Sequence, residues 1–250
     1  MEKFSRNELY WGADFQAHLK DIKIIVAGLG GVGGFALEAL ARVGISNFLI
    51  IDFDIVSKSN INRQLIALNS TIGIKKTEVW QTRLKDINPE IQLSVINDFI
   101  DSDLHQKILD YSPDYLVDAI DTARSKIELL AFVHRNNIKC VTSFGAGNRI
   151  DATKLVLTDI SEVTPNCNFS KNILKNLKIA GVESDLAVVY STEKAKNIQK
   201  VKNVEKIMKT SGKILQFEKF SPASISTVPA VAGYLMANHI ILDLYKNFNL

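Results

Sequence analysis

Cysteine is scarce in this chain: its 250 residues include only Cys140 and Cys167. Two cysteines exclude a disulfide framework and fit a reducing, cytoplasmic setting. They also cannot supply the four thiolates of a structural zinc site. Histidine is equally sparse, and His18, His105, His134 and His239 stand at no metal-ligand spacing. Arginine stops at Arg149. Base-specific bidentate readout from the C-terminal part is therefore not expected. No recognised nucleic-acid-binding module is present, and no DNA partner is expected. No apolar run follows the first charges, so the N-terminus does not read as a secretory signal. The longest apolar stretch, Val228 to Leu244, is broken by Pro229, Asn238, His239 and Asp243. It reads as a buried or dimer-interface helix, without stable membrane insertion.

What is present is concentrated early. Ile24-Ile25-Val26-Ala27 is a short apolar run that breaks into Gly28-Leu29-Gly30-Gly31-Val32-Gly33-Gly34 and then a helix pattern from Phe35 to Arg42. Glycines at such a strand-to-helix turn let a phosphate approach the main chain, and the helix N-terminus offers unpaired N–H groups to it. Asn47 to Ile51 reads as the next strand. Asp52 at its end lies where a dinucleotide-binding unit places its ribose acid, so an NAD-dependent oxidoreductase is one reading at this point. The following residues favour triphosphate chemistry. Asp54, Asn60, Asn62, Arg63, Gln64 and Lys76 form a cluster that hydride transfer does not need. Arg and Lys neutralise charge on transferring phosphoryl oxygens, Asn orients them, and an Asp can hold the Mg2+ that bridges them.

The rest of the first 159 residues keeps alternating. Helices are expected over 1–21, 75–88, 104–111 and 124–136. Strands are expected over 92–96, 115–117, 139–143 and 155–159. This pattern predicts an α/β, doubly wound, Rossmann-like and mostly parallel sheet. Residues 1–159 would be the nucleotide-binding core and 160–250 a basic extension ending in a helix, all within one domain. Asp118 and Asp121 follow the strand at 115–117, at the ligand-binding edge of such a sheet. Asp118 fits a nucleotide contact or a helix cap equally well. Cys140 reads as a packed thiol. Cys167, in a polar loop, reads as incidental, with a nucleophile as the alternative.

The ordered set Gly28-x-Gly30-Gly31-x-Gly33, Asp52-x-Asp54, Asn60-x-Asn62-Arg63-Gln64, Gly73-x-x-Lys76 and Val117-Asp118-Ala119-Ile120-Asp121 resembles the ubiquitin-activating-enzyme-like adenylating proteins. These include the activators of the sulfur carriers for molybdopterin and thiamine synthesis. The resemblance implies ATP as the nucleotide, with Gly28 to Gly33 at its phosphates and Asp52 at its ribose. It implies Asn60, Arg63 and Lys76 at the triphosphate and Mg2+ on Asp121. It also implies a homodimer in which Arg6 reaches into the other subunit's site. Thr142 to Asp151 and Ser224 to Gly233 resemble the bacterial tRNA threonylcarbamoyladenosine dehydratase branch more narrowly. That branch implies tRNA as substrate, loss of water to close a ring, and a cysteine desulfurase system as an assisting partner. The alternative is adenylation of the C-terminal Gly-Gly of a ubiquitin-like sulfur carrier. The missing Cys-x-x-Cys pairs argue against it.

Charge is uneven. Residues 171–213 contain ten lysines against four acids. Lys194, Lys196, Lys200, Lys202, Lys206, Lys209 and Lys213 alternate with Ile198, Val201, Val204, Ile207 and Met208 at helical spacing. The expectation is a helix whose lysines face water or an RNA backbone.

Overall fold

The N-terminal segment forms two short helices, α1 (Ser5–Trp11) and α2 (Ala13–His18). The apolar runs then become parallel strands: β1 (Lys23–Ala27), β2 (Asn47–Ile51), β3 (Gln92–Ile96), β4 (Tyr115–Asp118) and β5 (Cys140–Ser143). The computed structural model describes residues 3–196, 201–209, 212 and 214–248. In it β6 (Leu155–Asp159) and β7 (Ala187–Ser191) complete a seven-stranded sheet in the order β3-β2-β1-β4-β5-β7-β6. All neighbours are parallel except β6 and β7. The winding direction reverses between β1 and β4, which opens a crevice at the carboxyl edge of the sheet. The doubly wound α/β fold is as expected. The boundary at residue 159 does not divide the sheet, because β7 inserts between β5 and β6.

Successive strand residues face opposite layers. On β1, Ile24 and Val26 join one core cluster while Ile25 and Ala27 join the other. Helices α3 (Gly33–Arg42) and α4 (Lys76–Ile87) cover the first face through Leu37, Leu40, Trp80 and Leu84. Helices α5 (His105–Tyr111), α6 (Ala123–Arg135) and α7 (Asn168–Ile179) cover the second through Ile108, Leu129, Val133, Ile173 and Leu177. Each of these side chains is at most 1% exposed, so the burial is nearly complete and the hydrophobic gain per residue is close to its maximum.

The lysine-rich segment corrects the expectation. Residues 201–208 are a strand, β8 (Val201–Met208), paired antiparallel with β9 (Ile214–Ser221) through eight residue pairs. Val201, Val204 and Ile207 are β-branched and suit a pleated strand. The pairing partner lies beyond the segment, so helical spacing read within it could not reveal the hairpin. Lys200 and Lys213 lie outside the described residues. The hairpin is tied down at both of its ends. After β8, Lys209 is buried and bonds both carboxylate oxygens of Asp101 at 2.7 Å, and also Asp103. After β9, the Ala223 N–H donates to Asn148 Oδ1 at 2.8 Å and its carbonyl accepts the Asn148 N–H at 2.7 Å.

The chain closes with α8 (Thr227–Phe248). By length and composition α8 could cross a membrane. Its Ala232, Met236, Ala237 and Ile240 instead fill the first core cluster. It lies so close to α3 that a Cβ on Gly233 would come within 2.4 Å of Val32 O, which is why a glycine stands there.

Candidate active site

A cleft of about 720 Å3 opens at the carboxyl edge of β1, β2 and β4. Its floor is the glycine turn. Gly28 has φ +89°, and a Cβ there would lie 2.9 Å from Ala119 O, so both the conformation and the contact demand glycine. Around Gly30 the same test meets only Gln64 Nε2, at 3.7 Å. A side chain at Gly30 would therefore occupy ligand space rather than protein. Gly31 lines the cleft as well and backs onto Arg63 and Pro229. Gly33, expected at the phosphates, does not line the cleft: it is buried behind Gly28, whose carbonyl oxygen a Cβ would approach to 1.9 Å.

Asp52 closes the end of β2. One carboxylate oxygen accepts the Leu29 N–H at 2.7 Å and the other accepts the Asp54 N–H at 2.8 Å, which fixes the acid against the glycine turn. Burial pushes its pKa up by more than Lys76 and the backbone donors pull it down. Lys76, the first residue of α4, is 5% exposed and bonds Asp54 Oδ2 at 2.6 Å, with Asp52 Oδ2 at 3.8 Å. Burial works against its charge, but Asp52, Asp54 and Asp121 outweigh that and hold its pKa above the ordinary lysine value.

Arg63 lines the same cleft. Its guanidinium donates to Ser59 O at 2.8 Å and to Asn62 Oδ1 at 2.9 Å. Burial lowers its pKa and the nearby Asp121 carboxylate partly restores it. Asp121 thus acts electrostatically on both cations, Arg63 and Lys76. Asn60 is held by Ser57, whose N–H donates to Asn60 Oδ1 at 3.0 Å. Gln64 is buried, and its Oε1 has no hydrogen-bond partner among the described residues.

Two further expected contacts are placed elsewhere. Asn62 does not line the cleft; it accepts from Arg63 and donates to Ser224 O at 2.8 Å, so it steers the arginine. Asp118 is fully buried and turned away, bonded to Lys126 and Thr142. Nor does it cap α6, whose N-cap residue is Thr122. Spacing places a residue at a sheet edge but not the direction of its side chain. Arg6 is exposed on α1 and does not line its own chain's cleft.

The donor set suits a magnesium nucleotide. Mg2+ is commonly held by one or two carboxylates plus phosphate oxygens. Among the described residues no three His, Cys, Asp or Glu side chains gather into a metal cage. Asp121 is a hard carboxylate in the lining of the cleft, together with the cations Arg63 and Lys76.

A profile of the ThiF family matches residues 4–247. The chain belongs to the ThiF family. It is 36% identical over 250 residues to the tRNA threonylcarbamoyladenosine dehydratase of Bacillus subtilis, covering 100% of this chain and 97% of that one. The Escherichia coli tRNA N6-threonylcarbamoyladenosine dehydratase, solved in complex with ATP, superposes with a TM-score of 0.83 at 30% identity, covering 99% of this chain and 95% of that one. The Escherichia coli molybdopterin-synthase adenylyltransferase is 32% identical over 160 residues, 63% of each protein.

Within this ThiF-family site, several residues do not stand out in the sequence. Lys126 is one; its signal is a lysine on the inward face of α6, in line with Leu129, Leu130 and Val133. Arg149 is another. It is 3% exposed and donates to the carbonyls of Gly145 and Gly147, shaping the loop whose Ala146 and Gly147 line the cleft. The same arginine lies beside Cys167, the N-cap of α7. Burial raises that thiol's pKa, while bonds from Ser170 and Arg149 more than offset this and lower it. Cys140 is buried, and burial raises its thiol well above the usual value, as a packed core residue should be.

Proposed function

We propose that this chain adenylates the carboxylate of tRNA threonylcarbamoyladenosine and closes it into a ring with net loss of water. The observation that carries the reading is the meeting of Arg63, Lys76 and Asp121 in a cleft floored by Gly28, Gly30 and Gly31. A substrate carboxylate oxygen attacks the α-phosphorus of ATP, and the bond to pyrophosphate breaks. A nucleophile on the same substrate then attacks the activated carbonyl and AMP leaves with the former carboxylate oxygen. Arg63 and Lys76 take up the charge on the departing pyrophosphate, which is the larger part of what a site can supply to phosphoryl chemistry. Asp52, locked to Leu29 N–H, holds the ribose. Asp121 is the residue that would hold Mg2+, which when bound would supply neutralisation of the phosphate charge.

A homodimer suits the outer surface. Leu9 and Tyr10 on α1 are 83% and 78% exposed, and Ile55, Ile61 and Leu68 are also exposed. In a dimer that carries Arg6 into the partner's cleft, Leu9 and Tyr10, on the same short helix as Arg6, would be covered. In that dimer Arg6 enters the partner's cleft. For tRNA, Lys171 and Lys175 stand one turn apart on the exposed side of α7. α7 begins beside the loop that carries Ala146 and Gly147 into the cleft: a Cβ on Gly145 would meet the Phe169 ring at 3.2 Å, and Asn166 holds Arg149 at 2.8 Å. The reaction consumes no sulfur, so a cysteine desulfurase system enters as a binding partner only. A tRNA substrate fits a cytoplasmic protein.

Pyrophosphate exchange tests the reading. Exchange should depend on tRNA carrying threonylcarbamoyladenosine. Exchange driven by a Gly-Gly carrier protein would favour carrier activation. Tight NAD binding without ATP turnover would favour an oxidoreductase.

A further inference from the structure

Asp118 and Lys126 form an ion pair with both side chains at 0% exposure. Lys126 Nζ donates to Asp118 Oδ2 at 2.5 Å and to Thr142 Oγ1 at 3.0 Å, and Thr142 Oγ1 donates to Asp118 Oδ2 at 2.6 Å. The other Asp118 oxygen accepts the Ile120 N–H at 3.1 Å. Three elements meet in this cluster: the end of β4, the end of β5 and the first turns of α6.

A buried ion pair is a poor stability device. Desolvation offsets its attraction, and apolar residues of similar volume often serve as well or better. Its position supplies a different rationale. The turn Ala119–Asp121 sits directly above it. Ala119 N–H donates to Ala27 O at 2.9 Å, and the Ala119 carbonyl oxygen would lie 2.9 Å from a Cβ on Gly28. A Cβ on Gly33 would lie 3.0 Å from the Ala119 Cβ. The turn therefore bears on the glycine floor at one end. At the other it places Asp121 in the lining of the cleft that also holds Arg63 and Lys76. Between the two ends, Asp118 offers the acceptor that holds the Ile120 N–H.

We propose that Asp118, Lys126 and Thr142 are positioning residues that set the Ala119–Asp121 turn, and through it the geometry in which a magnesium nucleotide is held. The inference rests on the adenylation reading for its reaction but not for its geometry. Lys126 fixes the Asp118 rotamer, Asp118 fixes the Ile120 amide, and that amide fixes the carboxylate of Asp121. Groups that orient a metal-holding residue typically change metal affinity or activity by about ten- to a hundredfold when removed.

The test is the double variant Asp118→Leu/Lys126→Met, which removes both charges together. It should fold with a melting temperature close to the parent's. The Mg2+ concentration that half-saturates ATP binding, read by calorimetry, should rise about tenfold or more. The kcat of pyrophosphate exchange should fall while the KM for ATP at saturating Mg2+ holds. A merely structural pair would leave the Mg2+ midpoint and kcat unchanged in the folded variant, and that result overturns the proposal. Should the double variant fail to fold, Thr142→Val decides, because it keeps the shape and deletes the two hydrogen bonds of the hydroxyl, to Lys126 and to Asp118: a raised Mg2+ midpoint supports the proposal and an unchanged one overturns it. If the parent shows no exchange with any substrate, the adenylation reading fails, and the calorimetric midpoint still judges the positioning role.

Discussion

Lys76 Nζ lies 2.6 Å from Asp54 Oδ2 inside the cleft, so the cation expected to meet the triphosphate is held by a carboxylate. Asp54 is 39% exposed whereas Lys76 is 5% exposed. The carboxylate is thus the more hydrated and more easily released partner when phosphate oxygens arrive. Lys76→Met should reduce kcat for pyrophosphate exchange on the order of a hundredfold, the usual effect of removing one transition-state interaction. It should also destabilise the protein, because Asp52 and Asp54 lose their shared counter-ion. Steady-state kinetics and a thermal melt check the two effects separately.

Arg6 is expected to act across the dimer. Arg6→Ala and Asp121→Asn should each abolish most activity. Mixed under subunit exchange, the two inactive parents should regain part of it, since one site of the heterodimer then has both residues intact. Absence of recovery in verified heterodimers would place Arg6 outside the partner's site.

The α7 lysines provide a test of tRNA docking. Lys171→Glu with Lys175→Glu should weaken tRNA binding and reduce the slope of log affinity against log salt by about two, one unit for each phosphate that a lysine no longer neutralises. ATP binding should not change. Filter binding across a salt series reads the slope.

Acid stability should depend on Glu38. Its carboxylate bonds Arg42 Nε at 2.7 Å and Arg83 Nε at 2.7 Å, joining α3 to α4. Burial alone would raise its pKa; the bonds to Arg83 and Arg42 outweigh burial and lower it. A depressed carboxylate stabilises the fold fully above its unfolded pKa, and that contribution is lost as pH falls through the folded value. Glu38→Gln should therefore lower the melting temperature at neutral pH by a few degrees. The gap to the parent should shrink as pH drops below about 4.5, the ordinary glutamate value. Melting curves from pH 7 down to the acid limb measure that gap.

Local chemistry makes much of this molecule legible. Gly28 through Gly34 sit between an apolar strand and a helix, and a left-handed turn with close contacts leaves no other residue for Gly28. Motif order groups Arg63, Lys76 and Asp121, and the doubly wound sheet brings them to one edge. Direction and long-range pairing stay hidden. Asp118 and Asp121 are three residues apart, yet one carboxylate points into the protein and the other into the cleft. Asn62 reads as a ligand because it neighbours Arg63, which it in fact orients. The lysine segment keeps helical spacing, but its partner strand lies at 214–221, and only the pairing reveals a hairpin.

The account turns on what happens to the modified nucleoside. The purified protein should be incubated with ATP, Mg2+ and tRNA bearing threonylcarbamoyladenosine, and the tRNA then digested and its nucleosides weighed by mass spectrometry. The account predicts a nucleoside lighter by one water, formed only when ATP and active protein are both present, with AMP and pyrophosphate released in step. Unchanged nucleoside mass alongside ATP turnover driven by a Gly-Gly carrier protein would contradict it.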